Sequence, residues 1–118
     1  MSKIQKQTVN FEKIIRETAL KTIEIEKSTV ANLVTSINTD FEKVVLSIYH
    51  SKGRVVLTGV GKSAIIAQKI SATLNSTGTP ALMMHAADAI HGDLGMIQPE
   101  DTVICLSKSG ETAEVKVL

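Results

Sequence analysis

The chain has 118 residues, 43 % of them hydrophobic and 21 % charged, with a formal net charge of +1. That length suits one domain able to bury about two thirds of its unfolded surface, and the composition excludes a disordered tail. The charges form no basic or acidic run, no segment nears the ~20 apolar residues that cross a bilayer, and a lone cysteine, Cys105, excludes an internal disulfide. Neither nucleic acid nor membrane is therefore an expected partner. Met1 to Glu12 carries lysines but no continuous apolar stretch, so it is not a signal peptide, and the reducing cytoplasm is the expected compartment. Phe11, Phe41 and Tyr49 are too few aromatic residues for base-stacking platforms.

Ile4 to Ile37 reads as helix, with Phe11, Ile15, Ala19 and Ile23 at four-residue spacing and Glu12–Arg16 and Glu17–Lys21 as acid-before-base pairs. A run this long either breaks once or packs against a second subunit. Thr39-Asp40-Phe41-Glu42 fits a capping box that opens a second helix, whose buried face would be Phe41, Val44, Val45 and Ile48. Arg54 to Thr58 is a short apolar, β-branched run bounded by glycines and reads as a buried strand. Gly59-Val60-Gly61-Lys62-Ser63 turns out of it into a helix reaching Ser76, with Ile66, Ile70 and Leu74 on its inner face. Pro80 to His85 is the second strand, Ala86 to Ile90 a short helix, His91 to Gly95 a loop, and Thr102 to Leu106 the third strand. Cys105 inside that strand is expected to be a buried small residue. Ser107 to Glu111 turns into a last helix, Glu111 to Leu118.

Strands alternating with helices give the order of a doubly wound parallel sheet flanked by helices, an α/β fold preceded by long N-terminal helices. Residues 1–52 would be the helical segment and residues 53–118 the front part of the α/β domain. The last helix stops without a cap, so the chain reads as cut within a domain. Ligands of such sheets lie outside the carboxyl ends of the strands, where both glycine- and serine-rich turns fall.

Gly61 lets the backbone of the first turn approach a ligand, and the following helix offers unpaired N–H groups to an anion around Ser63. A Walker A loop would need glycine where Val56 stands. The turn does fit G-x-G-x-x-A, but a dinucleotide site expects an acid at the end of the next strand, and Met83, Met84 and His85 stand there. The second turn, Ser107-Lys108-Ser109-Gly110-Glu111-Thr112, clusters three hydroxyls able to donate to phosphate oxygens. Alone, Ser109 would simply cap a helix. Two such turns on one sheet favour a phosphate. His85, His91 and Asp93 match no standard metal spacing, so no metal is expected.

G-V-G-K-S, S-T-G-T-P, H-G-D-L-G-M-I and S-K-S-G-E-T-A-E closely resemble the D-arabinose 5-phosphate isomerases of the sugar isomerase (SIS) domain superfamily, over about Gly53 to Leu118. The resemblance implies a parallel sheet between helices, assembled as a homodimer or homotetramer, with no organic cofactor. It implies phosphate-binding positions at Ser63, Ser107, Ser109 and Thr112, beside Gly61 and Gly110 of the same turns, and catalytic positions at Lys62 and Glu114, with His91 in the active-site region. The implied reaction interconverts D-arabinose 5-phosphate and D-ribulose 5-phosphate, the first step of Kdo synthesis for lipopolysaccharide or capsule. Lys108 departs from the superfamily's usual Asn or Gln, and a further catalytic glutamate and histidine are expected beyond residue 118, so activity is expected of the parent protein.

Such an isomerisation moves a proton between C2 and C1 through a cis-enediol. Glu114, about one helical turn past Glu111, would be the base, worth about 10²–10⁴-fold, and Lys62 would polarise the carbonyl. Without the resemblance Glu114 reads as a solvated helix residue. His91 reads as a substrate contact or proton carrier. Two other readings stand: a non-catalytic phosphosugar-binding regulator, which would carry a helix-turn-helix ahead of the domain, and another phosphosugar isomerase on the same scaffold.

Overall fold

The computed structural model describes residues 10–118, so the expected helical start at Ile4 to Val9 lies outside the described residues. These residues form two compact units, one ending at Glu42 and the other spanning Lys43–Leu118.

In the first unit, helix α1 runs Phe11–Asn32, and Asn10 caps it by accepting the Lys13 N–H through Oδ1 at 2.9 Å. The expected continuation to Ile37 is broken, because Leu33–Ser36 tightens into a 3₁₀ turn with the Thr35 hydroxyl donating to the Asn32 carbonyl. Helix α2, Thr39–His50, follows and runs past the unit boundary, so that its part from Lys43 on belongs to the second unit. Its cap is Asn38, not Thr39: Asn38 Oδ1 accepts the N–H groups of Asp40 and Phe41, both at 3.0 Å. An asparagine in that place reaches the orphan donors one residue earlier than the capping box would.

In the second unit, β1 (Val55–Gly59), α3 (Lys62–Ser76), β2 (Ala81–His85), α4 (Ala86–Ala89), a 3₁₀ turn (Asp93–Met96), β3 (Thr102–Cys105) and α5 (Ala113–Lys116) follow in order. The three strands are parallel in the order β2-β1-β3, with Val55 opposite Ala81 on one side and Thr102 on the other. All of β1 is buried, as its continuous apolar run predicts for a central parallel strand. On one face Val55 and Leu57 pack with Ala67, Ile70 and Leu74 of α3 and with Ile48. On the other, Val56 and Met84 pack with Ala89 of α4 and with Ile97.

Several expected core positions are corrected. Phe41, Val44 and Val45 are 47 %, 53 % and 46 % exposed, and of that face only Ile48 joins the core, where it shares one side of the sheet with Ile70 and Leu74 of α3. On α3, Ile66 is 53 % exposed while Ala64, Ala67 and Ser71 are buried. Small side chains let the helix approach the strands closely, and Ile70 and Leu74 flank that contact. Cys105 is exposed, not buried. Among the described residues β3 pairs only with β1, and α4 reaches the sheet through Ala89 over β1 and β2, so Val103 and Cys105 on that side of β3 stay uncovered. The last helix is one turn, Ala113–Lys116, shorter than the expected Glu111 to Leu118.

The amino end of the sheet is held by an ion pair. The Asp101 carboxylate, 1 % exposed, accepts Arg54 Nη2 at 2.7 Å and Nε at 3.2 Å, and also the N–H groups of Arg54 and Gln98, both at 2.8 Å. The guanidinium hydrogen bond, then the two backbone donors, hold this carboxyl well below the usual carboxylate range, and Asp101 raises Arg54 in return.

Candidate functional site

β2 and β3 leave β1 on opposite sides, so the switch in strand order falls between β1 and β3. Their carboxyl ends are level, Thr58 facing Cys105 across the ladder, and the Leu106 N–H donates to the Thr58 carbonyl at 2.8 Å. Past that bond the two connections diverge and open a crevice. The turns singled out from the sequence follow β1 and β3 at this end of the sheet.

The first turn carries Gly61 at φ 59°, ψ −129°, a conformation that a Cβ would strain, and its carbonyl accepts the Ala64 and Ile65 N–H groups. α3 then begins at Lys62 with no side-chain cap, so its first N–H groups have no capping side chain to receive them. Lys62 is exposed and Ser63 half-buried.

The second turn is organised by its own hydroxyls. Ser107 Oγ accepts the Gly110 N–H at 2.9 Å and lies 3.1 Å from Thr112 Oγ1, while Ser109 Oγ accepts the Glu111 N–H at 3.1 Å. Gly110 sits at φ 70° to close the turn. Glu111 is paired with Lys116. Glu114 is half-buried in the first turn of α5, which packs on α4. His91 follows α4, exposed, with its N–H donating to the Asp88 carbonyl at 2.9 Å. The fold thus places Gly61, Lys62 and Ser63 after β1, Ser107, Ser109, Gly110, Thr112 and Glu114 after β3, and His91 after β2, all at one end of the sheet.

His85 stands apart from this set: its Nδ1 accepts the Ala87 N–H at 3.1 Å and caps α4. Among the described residues no group of three or more His, Cys, Asp or Glu could hold a metal ion. One group escaped sequence reasoning. Thr58, fully buried at the foot of the crevice, has a hydroxyl without a hydrogen-bond partner among the described residues. A lone threonine in a Val–Leu strand, just before a glycine, was the available signal.

An open depression of about 470 Å³ lies at the other end of the sheet, lined by Lys43, Leu46, Ser47, His50, Ser51 and Thr102. It has no carboxylate and no hydroxyl-bearing turn of the kind that binds phosphate, so the crevice remains the site the chemistry favours. No helix among the described residues is long and apolar enough to cross a membrane.

The SIS domain model matches residues 47–118. An arabinose 5-phosphate isomerase, KdsD, of Pseudomonas aeruginosa is 48 % identical over 100 residues, which is 85 % of this chain and 31 % of that protein. Its namesake from Yersinia pestis is 47 % identical over 96 residues, 81 % of this chain and 29 % of that protein. A solved structure of an Escherichia coli CFT073 protein in complex with arabinose 5-phosphate superposes with a TM-score of 0.83 at 39 % identity, covering 89 % of this chain and 56 % of that one. The chain therefore spans about a third of the length of these curated relatives.

Proposed function

The chain belongs to the SIS domain family, and on that premise we propose that the full-length protein is an aldose–ketose isomerase interconverting D-arabinose 5-phosphate and D-ribulose 5-phosphate. The observation that carries this reading is the pairing of two phosphate-suited turns at the switch point between β1 and β3. The likeness to a neighbour solved with arabinose 5-phosphate supports it.

The phosphoryl group sits between the α3 N-terminus, with Gly61 and Ser63, and the Ser107–Thr112 turn. Binding energy gained there, remote from the reacting carbons, positions C1 and C2. Glu114 takes the C2 proton of the aldose and returns it to C1 of the cis-enediol, while a proton passes from the C2 hydroxyl to the former aldehyde oxygen. Lys62 polarises the carbonyl and stabilises the enediolate, and His91 contacts substrate or carries the hydroxyl proton. The protein acts as a cytoplasmic homodimer or homotetramer supplying Kdo synthesis, with residues 53–118 as the front part of its phosphosugar domain.

Incubating full-length protein with arabinose 5-phosphate and measuring ribulose 5-phosphate tests this directly. Conversion is the expected result. Binding of the sugar phosphate without conversion would replace the isomerase with a phosphosugar sensor.

A further inference from the structure

Lys108 stands between Ser107 and Ser109, exposed, and makes no hydrogen bond or ion pair among the described residues. Its neighbours are otherwise engaged. The Ser107 and Ser109 oxygens hold the Gly110 and Glu111 N–H groups, and Ser107 also meets Thr112, so the turn as folded satisfies many of its own donors. The carboxylate closest in sequence that could neutralise Lys108, Glu111, is held by Lys116. The segments around the crevice also carry Asp88, Asp93 and Glu114, all repulsive to an entering phosphate, and His91. Against those carboxylates the unspent cations of the two turns are Lys62 and Lys108. Lys62 lies across the crevice on the β1 side.

We propose that Lys108 is a specificity-determining residue of this site, which captures the phosphoryl group as its dianion and discriminates against the monoanion and against unphosphorylated sugar. The inference rests on the phosphosugar reading and goes beyond it. An ammonium on a flexible stem at an exposed turn contributes charge more than fixed geometry. The contact is remote from C1 and C2 and is made alike before and during reaction, so it acts on KM and leaves kcat alone. A sugar phosphate loses its second proton near pH ~6, so the contribution of Lys108 should fade as the pH drops through that value. It should also fade as salt shortens the Debye length from ~10 Å at 0.1 M toward ~3 Å at 1 M.

The test compares full-length wild type, Lys108→Gln and Lys108→Arg with arabinose 5-phosphate at pH 5 to 8, in low and high salt. Lys108→Gln should raise KM about three- to tenfold at pH 8 and low salt with kcat within about twofold, and Lys108→Arg should restore most of the loss. The penalty should shrink below pH ~6 and at high salt. An unchanged KM for Lys108→Gln, or a penalty independent of pH and salt, overturns the proposal. Calorimetric titration with arabinose 5-phosphate and with inorganic phosphate separates the two claims. Wild type that binds without turnover removes the isomerase but still reads Lys108 through the affinity difference, whereas no binding of either anion overturns both.

Discussion

At the amino end of the sheet the polar groups tie the chain to itself, whereas at the carboxyl end a few of them have no partner among the described residues. Below β1, Arg54 and Asp101 lock the start of one strand to the approach to its neighbour, and the Ser51 hydroxyl reaches the Glu100 carbonyl at 3.0 Å. Asn75 joins α3 to β2 by exchanging both of its amide atoms with the Ala81 backbone, at 2.8 and 2.9 Å. Above β1, α3 starts uncapped, Lys62 and Lys108 have no partner among the described residues, and the Thr58 hydroxyl is buried without one. The same sheet thus separates a holding end from the end where binding is proposed. Substitutions at one should change stability, and at the other affinity or rate.

Four measurements on the full-length protein sharpen or break that division. Glu114→Gln should lower kcat by about 10²–10⁴-fold while leaving the thermal midpoint in place, and near-normal turnover would remove Glu114 from the base role. Gly53→Ala should do the reverse. A Cβ there would lie 2.2 Å from the Glu100 carbonyl oxygen, so the backbone must shift, at about 2–4 kcal/mol in a denaturant titration, with kcat per folded molecule unchanged.

Asp101→Asn comes third and carries a pH signature. The folded carboxyl is depressed, so its stabilisation is complete above the unfolded value of about 3.9 and is lost as pH falls through the lower folded value. The thermal midpoints of wild type and variant should therefore differ by a constant amount at neutral pH and converge below about pH 4. A gap that persists at lower pH would mean the ion pair is not its source. Smallest is Thr58→Val, which replaces the orphan hydroxyl by a methyl of similar shape and should be neutral or stabilise by about 1 kcal/mol. A loss of phosphosugar affinity in that variant would show that the hydroxyl serves the ligand.

The strands were legible because β1 is a β-branched, apolar run between glycines and because each of the two turns carries its own glycine and hydroxyls. The same glycines and hydroxyls pointed to the candidate site, whose turns the fold brings to one end of the sheet. What misled was side-chain size. On α3 the isoleucine spacing pointed to Ile66, yet the buried stripe runs through Ala64, Ala67 and Ser71, where closeness to the sheet matters more than the area of any one side chain. Cys105 follows an apolar pattern, but hydropathy does not tell a strand with two neighbours from one with a single neighbour. Asn38 as the cap was overlooked because Thr39 and Glu42 satisfied a more specific motif.

The central position of β1 also fixes an order of assembly. Val55 meets Ala81 of β2 at a separation of 26 residues and Thr102 of β3 at 47. Closing the longer loop costs about 0.5 kcal/mol more in chain entropy, and only the shorter one is lined by a helix, α3, that packs on both strands it connects. The β1–α3–β2 unit should therefore form in the folding transition state, with kinetic φ-values high at Ala67 and Leu57 and low at Val103. The proposed phosphate site would then be a late acquisition of the folding chain, completed only when its third strand docks.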